Sequence, residues 1–376
     1  MDNWKNYDYI VVGAGIFGAV IAERLASKDK KVLVMDRRKH IAGNIYSYID
    51  PETGIEVHEY GSHIFHTKYD DVWEYLNRFT KFNDYVHTVD TRHDGKLYPM
   101  PINLDTVNML YDMSLNAKEA EEFVKEEAAK SGITEPKNFE EQGLYLVGEK
   151  LYTAFLKNYT AKQWGTDPKN LSADILKRIP VRFSRDARYF MDAKYQGIPI
   201  DGYTKMVENI LANPNITVLT GKDFLELPEE AKQKKVIYCG KIDELFDYEL
   251  GVLPYRSLRF ETERTTDGLG EAVINEADAD VPYTRTHDYK YYMVDKPEII
   301  KQPISIICRE YPAEFKKGGE AYYPINNDES ETLYQKYVEI MRDKYPQMVL
   351  GGRLGAYRYW DMDEAVKRAL ELSNEL

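Results

Sequence analysis

With 376 residues the chain can bury a large core and house two or three subdomains, and its formal net charge of −13 excludes nucleic-acid binding through a basic face. No apolar run approaches the roughly 18 residues of a membrane span, and a strand begins too early for a signal peptide, so no membrane span and a cytoplasmic location are expected. Two isolated cysteines, Cys239 and Cys308, lie outside any CxxC pattern and support neither a disulfide framework nor a metal site.

The first predicted element is a strand at Tyr9–Val12, which runs straight into Gly13-Ala14-Gly15-Ile16-Phe17-Gly18 and then a helical pattern. Glycines at this spacing serve a dinucleotide: Gly13 permits the tight turn, Gly15 lets backbone approach a pyrophosphate, and Gly18 lets helix and strand pack closely. The pyrophosphate would sit on the helix N-terminus, against its N–H groups and partial positive charge. A second strand from Lys31 ends at Asp36, whose carboxylate can accept hydrogen bonds from an adenosine ribose. The following Arg37-Arg38-Lys39-His40-Ile41-Ala42-Gly43-Asn44 adds basic residues and a further glycine turn. This order is similar to the FAD-binding half of flavoprotein oxidase-like families, which favours FAD over NAD.

Further along, a helix is expected around Tyr69–Phe79 and a hairpin over Tyr85–Ile102 about Asp94-Gly95. Helices follow at Ala117–Lys130 and Glu140–Lys162, with a short one at Ser172–Arg178 that must end before Pro180. A helix after Gly202 leads to strands at Ile216–Leu219 and Val236–Tyr238, which could rejoin the nucleotide domain. Residues from about 252 to 325 read as a mostly antiparallel sheet. Val349 to Gly355 is a strand entering another glycine turn, and Asp361 with Glu364 is predicted to form a capping box on the last helix. The fold class is α/β: a Rossmann-like FAD-binding domain (1–80, 200–248 and 345–376) is interleaved with a helical substrate subdomain (103–185) and an antiparallel-sheet subdomain (81–102, 186–199 and 249–344).

Of the 31 tyrosines most are expected to be structural, although their rings and hydroxyls suit a nucleotide or sugar pocket. His63 and His66 lie three apart in Tyr60-Gly61-Ser62-His63-Ile64-Phe65-His66-Thr67, with too few converging ligands for a metal, and a packed or flavin-adjacent role suits His63 better. Asn158-Tyr-Thr-Ala-Lys-Gln-Trp-Gly165, Arg178-Ile-Pro-Val-Arg-Phe183, Tyr255-Arg-Ser-Leu-Arg-Phe-Glu261, Tyr283-Thr-Arg285 and Gly351-Gly-Arg-Leu-Gly-Ala-Tyr-Arg-Tyr359 then form a set. With His63-Ile-Phe-His-Thr67 and the glycine motif, that set closely resembles the UDP-galactopyranose mutase family over essentially the whole chain.

The resemblance implies that Arg178 and Arg285 clasp the substrate diphosphate, since guanidinium forks match phosphate oxygens. It implies that Phe155 and Tyr159, four apart on a helix, carry the uracil, that Trp164 lies near sugar and flavin, and that Tyr189, Arg256, Tyr323 and Tyr359 line the phosphate and sugar side. On the cofactor side it implies Gly13, Gly15, Phe17, Gly18, Asp36, Arg37, Asn44, His63, Arg353 and Tyr359, with Asp361-Met362 opening a helix toward the flavin carbonyl. The catalytic set is then Arg178, Arg285, His63 and Trp164. The implied chemistry is non-redox: N5 of reduced FAD attacks the anomeric carbon, UDP leaves, the ring opens and recloses as the furanose, and UDP returns. A UDP-sugar substrate and a homodimer belong to the same implication. Two segments depart from the family pattern, Thr286 to Tyr292 and Tyr98-Pro-Met-Pro-Ile-Asn103. They leave open a related N-acetylated or 6-deoxy sugar nucleotide, and a conventional FAD oxidoreductase is the rival from the N-terminal fold alone.

Overall fold

A computed structural model describes residues 2–178 and 181–376, the side chains of Asp2, Asn3, Lys177 and Arg178 excepted. The chain divides into two compact units, Met1–Asp84 with Asp192–Leu258 and Ala313–Leu376, and Tyr85–Met191 with Arg259–Pro312. Residues 103–185 lie wholly in the second, whereas 249–344 is divided, with 259–312 in the second and the remainder in the first.

The first unit is built on five strands in the order Met348–Leu350, Lys235–Tyr238, Tyr9–Val12, Val32–Asp36 and Ile216–Thr220. All four pairings are parallel, with Tyr9 opposite both Lys235 and Val32. The inner strands Tyr9–Val12 and Val32–Asp36 are buried almost throughout, as parallel strands covered by helices require, whereas the edge strand Ile216–Thr220 is partly exposed. The strands expected at Ile216 and Val236 do rejoin the nucleotide sheet. The glycine motif leads into the helix Ile16–Ala26, which is buried almost throughout and packs against the last helix, Met362–Glu375. On one side of the sheet a core of Ile10, Leu33, Val236, Tyr238, Tyr337, Tyr345 and Tyr357 accounts for several tyrosines as packing residues. Their hydroxyls reach backbone: Tyr357 donates to the Pro254 carbonyl at 2.7 Å and Tyr337 to Gly251 at 2.7 Å.

The second unit carries the strands Arg285–Asp288, Val273–Glu276, Val89–His93 and Lys96–Met100 side by side, with Ser305–Glu314 next to Arg285–Asp288. These pairings are antiparallel as expected, except that Val273–Glu276 runs parallel to Val89–His93. The Asp94-Gly95 hairpin forms with both turn residues at positive φ, 48° and 72°. The helix Ala117–Ala129 starts on an Asn116–Glu119 capping box. The helix expected over 140–162 is not continuous. Phe139–Leu151 contains Gly148 at φ 77° and ψ 173°, Tyr152–Lys157 winds as a π-helix, and only then does Asn158–Trp164 return to α geometry before Gly165 at φ 65°. Residue types do not register these changes, because Tyr152–Lys157 contains nothing that an α-helix excludes and Gly148 is a single glycine in a helix-forming run.

Candidate active site

The glycine turn performs the three geometric tasks predicted for it. Gly13 sits at φ 105°, and a Cβ on Gly18 would lie 1.9 Å from the Gly13 carbonyl oxygen. The backbone at Gly43 (φ 54°) comes so near Gly15 that an added Cβ would be 3.0 Å from the Gly15 Cα. Two bare backbones thus face each other beside the start of Ile16–Ala26, a helix with no side-chain cap and no acid in its first turn. Such a start leaves N–H groups and positive potential available to an anion. The surrounding cleft belongs entirely to the first unit and is lined by Gly13, Gly15, Phe17, Asp36, Arg37, Asn44, His63, Arg353, Asp361 and Met362, among others. These residues fit a dinucleotide: a Cβ-free saddle for the pyrophosphate, an acid at the end of the second strand, and an apolar ring floor.

Asp36 also has a structural task. Its carboxylate accepts from the Ala14 N–H at 2.8 Å and the Arg38 N–H at 2.9 Å, tying the second strand to the glycine turn, and a carboxylate retains further lone pairs for a ribose. Arg37 pairs with Glu244 at 3.1 Å. Arg38, absent from the sequence-based set, donates to Asn44 at 3.0 Å, pairs with Glu320 at 2.6 Å and lies 4.3 Å over the Tyr60 ring. Its charged partner, Glu320, lies far along the chain, so no local pattern reveals it. His63 Nδ1 donates to the Gly61 carbonyl at 2.8 Å, which makes its other ring nitrogen an acceptor when the ring is neutral.

At the other end of the cleft, Arg353 donates to the Trp360 carbonyl at 2.5 and 3.1 Å and to the Tyr322 carbonyl at 3.3 Å. It lies 4.9 Å over the ring of Tyr359, which is exposed and meets Tyr323 edge-on at 5.6 Å. Arg256 is buried and pairs across its strand with Tyr323. Phe17 packs near Trp360 and against Gly351, where a Cβ would stand 2.3 Å from its ring. The predicted capping box at Asp361 is corrected. The helix does begin at Met362, but Asp361 caps no N–H, and Glu364 instead pairs with Arg368 at 2.7 Å. A charged i,i+4 partner holds that carboxylate one turn further on, leaving the helix start turned to the cleft without a cap.

The second unit holds a different kind of cluster. The Tyr159 hydroxyl lies beside the half-buried Arg285 guanidinium, whose Nε donates to Asn275 at 3.2 Å, with Glu310 and Tyr189 nearby. Tyr159 is the foremost influence raising the arginine's pKa, and desolvation opposes it. Burial pushes Tyr159 itself up to about 12 against the pull of Arg285, so its hydroxyl stays neutral through the ordinary pH range. Phe155 is buried edge-on to Tyr98 at 5.0 Å and His93 at 5.9 Å, and Trp164 is half-buried at the end of its helix. The Arg178 side chain lies outside the described residues. Two cations missed from sequence organise the loops here. Buried Arg182 donates to the carbonyls of Arg188 at 2.5 Å, Asp186 at 3.2 Å and Tyr189 at 3.4 Å, while Lys162 serves another loop. Both stand inside quoted motifs, but nothing local distinguishes a cation for backbone from one for substrate. Among the described residues, His93, Asp94 and Asp278 are grouped closely enough for a metal, within 4.8 Å. The His93–Asp278 hydrogen bond of 2.7 Å and the exposure of Asp94 suit a surface hydrogen-bonded pair equally well.

A family model for UDP-galactopyranose mutase matches residues 154–359, and one for a Rossmann-like NAD(P)-binding domain matches residues 11–79. The chain is 40% identical over 373 residues to a probable UDP-galactopyranose mutase of Klebsiella pneumoniae, covering 99% of this chain and 95% of that one. It is 39% identical over 369 residues to a dTDP-fucopyranose mutase of Escherichia coli, covering 96% of each. The fold is similar to a crystal structure of reduced UDP-galactopyranose mutase, with TM-score 0.74 at 15% identity over 98% of this chain and 95% of the other. The chain therefore belongs to the UDP-galactopyranose mutase family of isomerases, and the cofactor implied for its cleft is FAD.

Proposed function

We propose that this enzyme interconverts the pyranose and furanose forms of UDP-galactose, without net redox change and with FAD reduced. The observation that carries the reading is the Arg285 guanidinium held against the Tyr159 hydroxyl, in a chain of this family. A fixed fork of donors beside a neutral phenol suits a diphosphate and offsets the charge of −13. Reduced FAD, when bound, supplies a nucleophilic nitrogen for the anomeric carbon.

The chain's own residues bind, orient and neutralise. Gly15 would present backbone to the pyrophosphate of the cofactor, with Gly13 and Gly18 holding the turn, Asp36 would take the ribose, and Phe17, Arg37 and Asn44 wall the cleft. His63, Arg353 and the start of Met362–Glu375 line the part of the cleft that would hold the flavin ring, where donors and a helix N-terminus would favour negative charge. Arg285 and Arg178 hold the diphosphate while it is detached, and Tyr189, Arg256, Tyr323 and Tyr359 complete the phosphate and sugar side. Phe155 and Tyr159 take the uracil, and Trp164 the sugar. The reading includes a cytoplasmic homodimer.

A second reading has a specific motive. The Escherichia coli relative named for dTDP-fucopyranose is as similar as the one named for UDP-galactopyranose, and fucose is a 6-deoxy sugar. Incubating dithionite-reduced enzyme with UDP-galactose, UDP-N-acetylgalactosamine and dTDP-fucose, with products separated by chromatography, discriminates among them. Ring isomers of UDP-galactose with reduced enzyme alone are the expected result. Isomerisation of dTDP-fucose alone transfers the reading to the 6-deoxy sugar, and steady electron transfer to an acceptor with no ring isomer overturns both.

A further inference from the structure

The loop between the strands Val273–Glu276 and Arg285–Asp288 leaves and returns at one point, where Glu276 N–H donates to the Thr284 carbonyl at 2.9 Å. Its interior is occupied by a cation from another element. Lys162 Nζ donates to the carbonyls of Glu276 at 2.7 Å, Asp278 at 2.8 Å, Val281 at 2.9 Å and Tyr283 at 3.2 Å. Three N–H groups serve four carbonyls, an arrangement like the oxygen cage of a bound monovalent ion. The helix Asn158–Trp164 that supplies Lys162 also supplies Tyr159, one turn earlier on the same face, and Tyr159 lies beside Arg285, two residues beyond the caged loop.

We propose that Lys162 is a positioning residue, the resident cation of loop 276–283, which sets Arg285 at the height where it meets Tyr159 and the substrate diphosphate. The carbonyls of a short loop would otherwise converge on one another, and their dipoles would drive the loop open. The ammonium neutralises that convergence and locks the loop's exit to the helix bearing Tyr159. Burial lowers the lysine pKa, and the carboxylates of Glu276, Asp278 and Asp280 oppose part of that shift. The proposal rests on Arg285 as the diphosphate ligand.

The test is UDP affinity by titration calorimetry in the FAD-loaded enzyme. Lys162→Ala should weaken UDP binding about tenfold, the size expected when a buried set of charge-assisted hydrogen bonds is lost, with flavin content and visible spectrum unchanged. Ethylammonium should restore affinity saturably by refilling the cage, whereas the bulkier tetramethylammonium, which has no N–H, should not. If Lys162→Ala cannot be purified, Lys162→Met, which keeps the length of the stem, should show the same loss. Wild-type affinity in the Lys162 variant beside a loss in Arg285→Ala overturns the proposal, as does a loss that ethylammonium leaves untouched. Unchanged affinity in both variants overturns the assignment of Arg285 instead. Amide exchange then decides for Lys162: protection of residues 276–285 lost in Lys162→Ala and regained with ethylammonium supports the resident cation, and unchanged protection overturns it.

Discussion

The cleft of the first unit and the arginine cluster of the second are both suited to phosphate, yet they are made of different material. The cleft is backbone: Gly13, Gly15, Gly18 and Gly43 bring main chain together, most tightly at Gly18 and Gly43, where a Cβ would intrude, beside a helix start with no side-chain cap. The cluster is side chain: Arg285 is held by Asn275 and Tyr159, and the neighbouring loops are held by the buried cations Lys162 and Arg182. A backbone site tolerates changes around it but no added carbon within it. A side-chain site survives added bulk nearby but depends on each charge being aimed, which is why two further cations are spent on carbonyls that carry no chemistry.

Substitutions that strike the two materials differently test this contrast. The largest effect is expected for Arg285→Ala: kcat/KM should fall about 10³-fold, the scale of losing a donor aimed at developing charge, with FAD content unchanged. Loss of FAD as well would show that the two regions are not separable in this way. Next, Gly18→Ala should destabilise the enzyme by about 3 kcal/mol and deplete its FAD, because a Cβ 1.9 Å from the Gly13 oxygen must displace the turn. Full flavin occupancy and an unchanged melting temperature would refute a backbone-built cleft. Asp36→Asn is milder. It keeps the shape but weakens the bonds from Ala14 and Arg38, so FAD retention on dilution should drop about tenfold, while UDP affinity stays the same.

The smallest effect concerns charge inside the second unit. Burial, with the neighbouring Asp90 carboxylate, pushes Glu271 up to about 7. A carboxyl raised on folding stabilises fully below its unfolded value near 4.5, and that contribution is lost as pH rises through about 7. Glu271→Gln removes the like-charge repulsion, so its melting temperature should exceed wild type by about 2 °C at pH 8 and by nothing at pH 5. Equal differences at both pH values would place the pair in solvent.

Much of the first unit could be read without coordinates because its signals are local. Alternating strand and helix around Gly13–Gly18, the acid at Asp36 and the later strands Ile216–Thr220 and Lys235–Tyr238 each occupy a short stretch whose residue types have few conformational outcomes. The capping box at Asp361 failed because Glu364 had a better partner in Arg368. The break at Gly148 and the π-turn at Tyr152–Lys157 are not legible in the residues, because none of them is a type that an α-helix excludes.

Residue types and spacing alone were enough for a dinucleotide fold and for the arginine-bearing motifs, since glycine geometry and guanidinium chemistry are properties of the residues themselves. They could not tell which cation answers which oxygen. Lys162 and Arg285 are separated by more than a hundred positions, and only the folded chain brings the helix of one to the loop of the other. Arg38 with Glu320 and Arg37 with Glu244 are likewise pairs that no window of sequence contains. The reason is physical: a turn is settled by the strain of its own few bonds, whereas a charge is settled by whatever the fold leaves within about 3 Å of it.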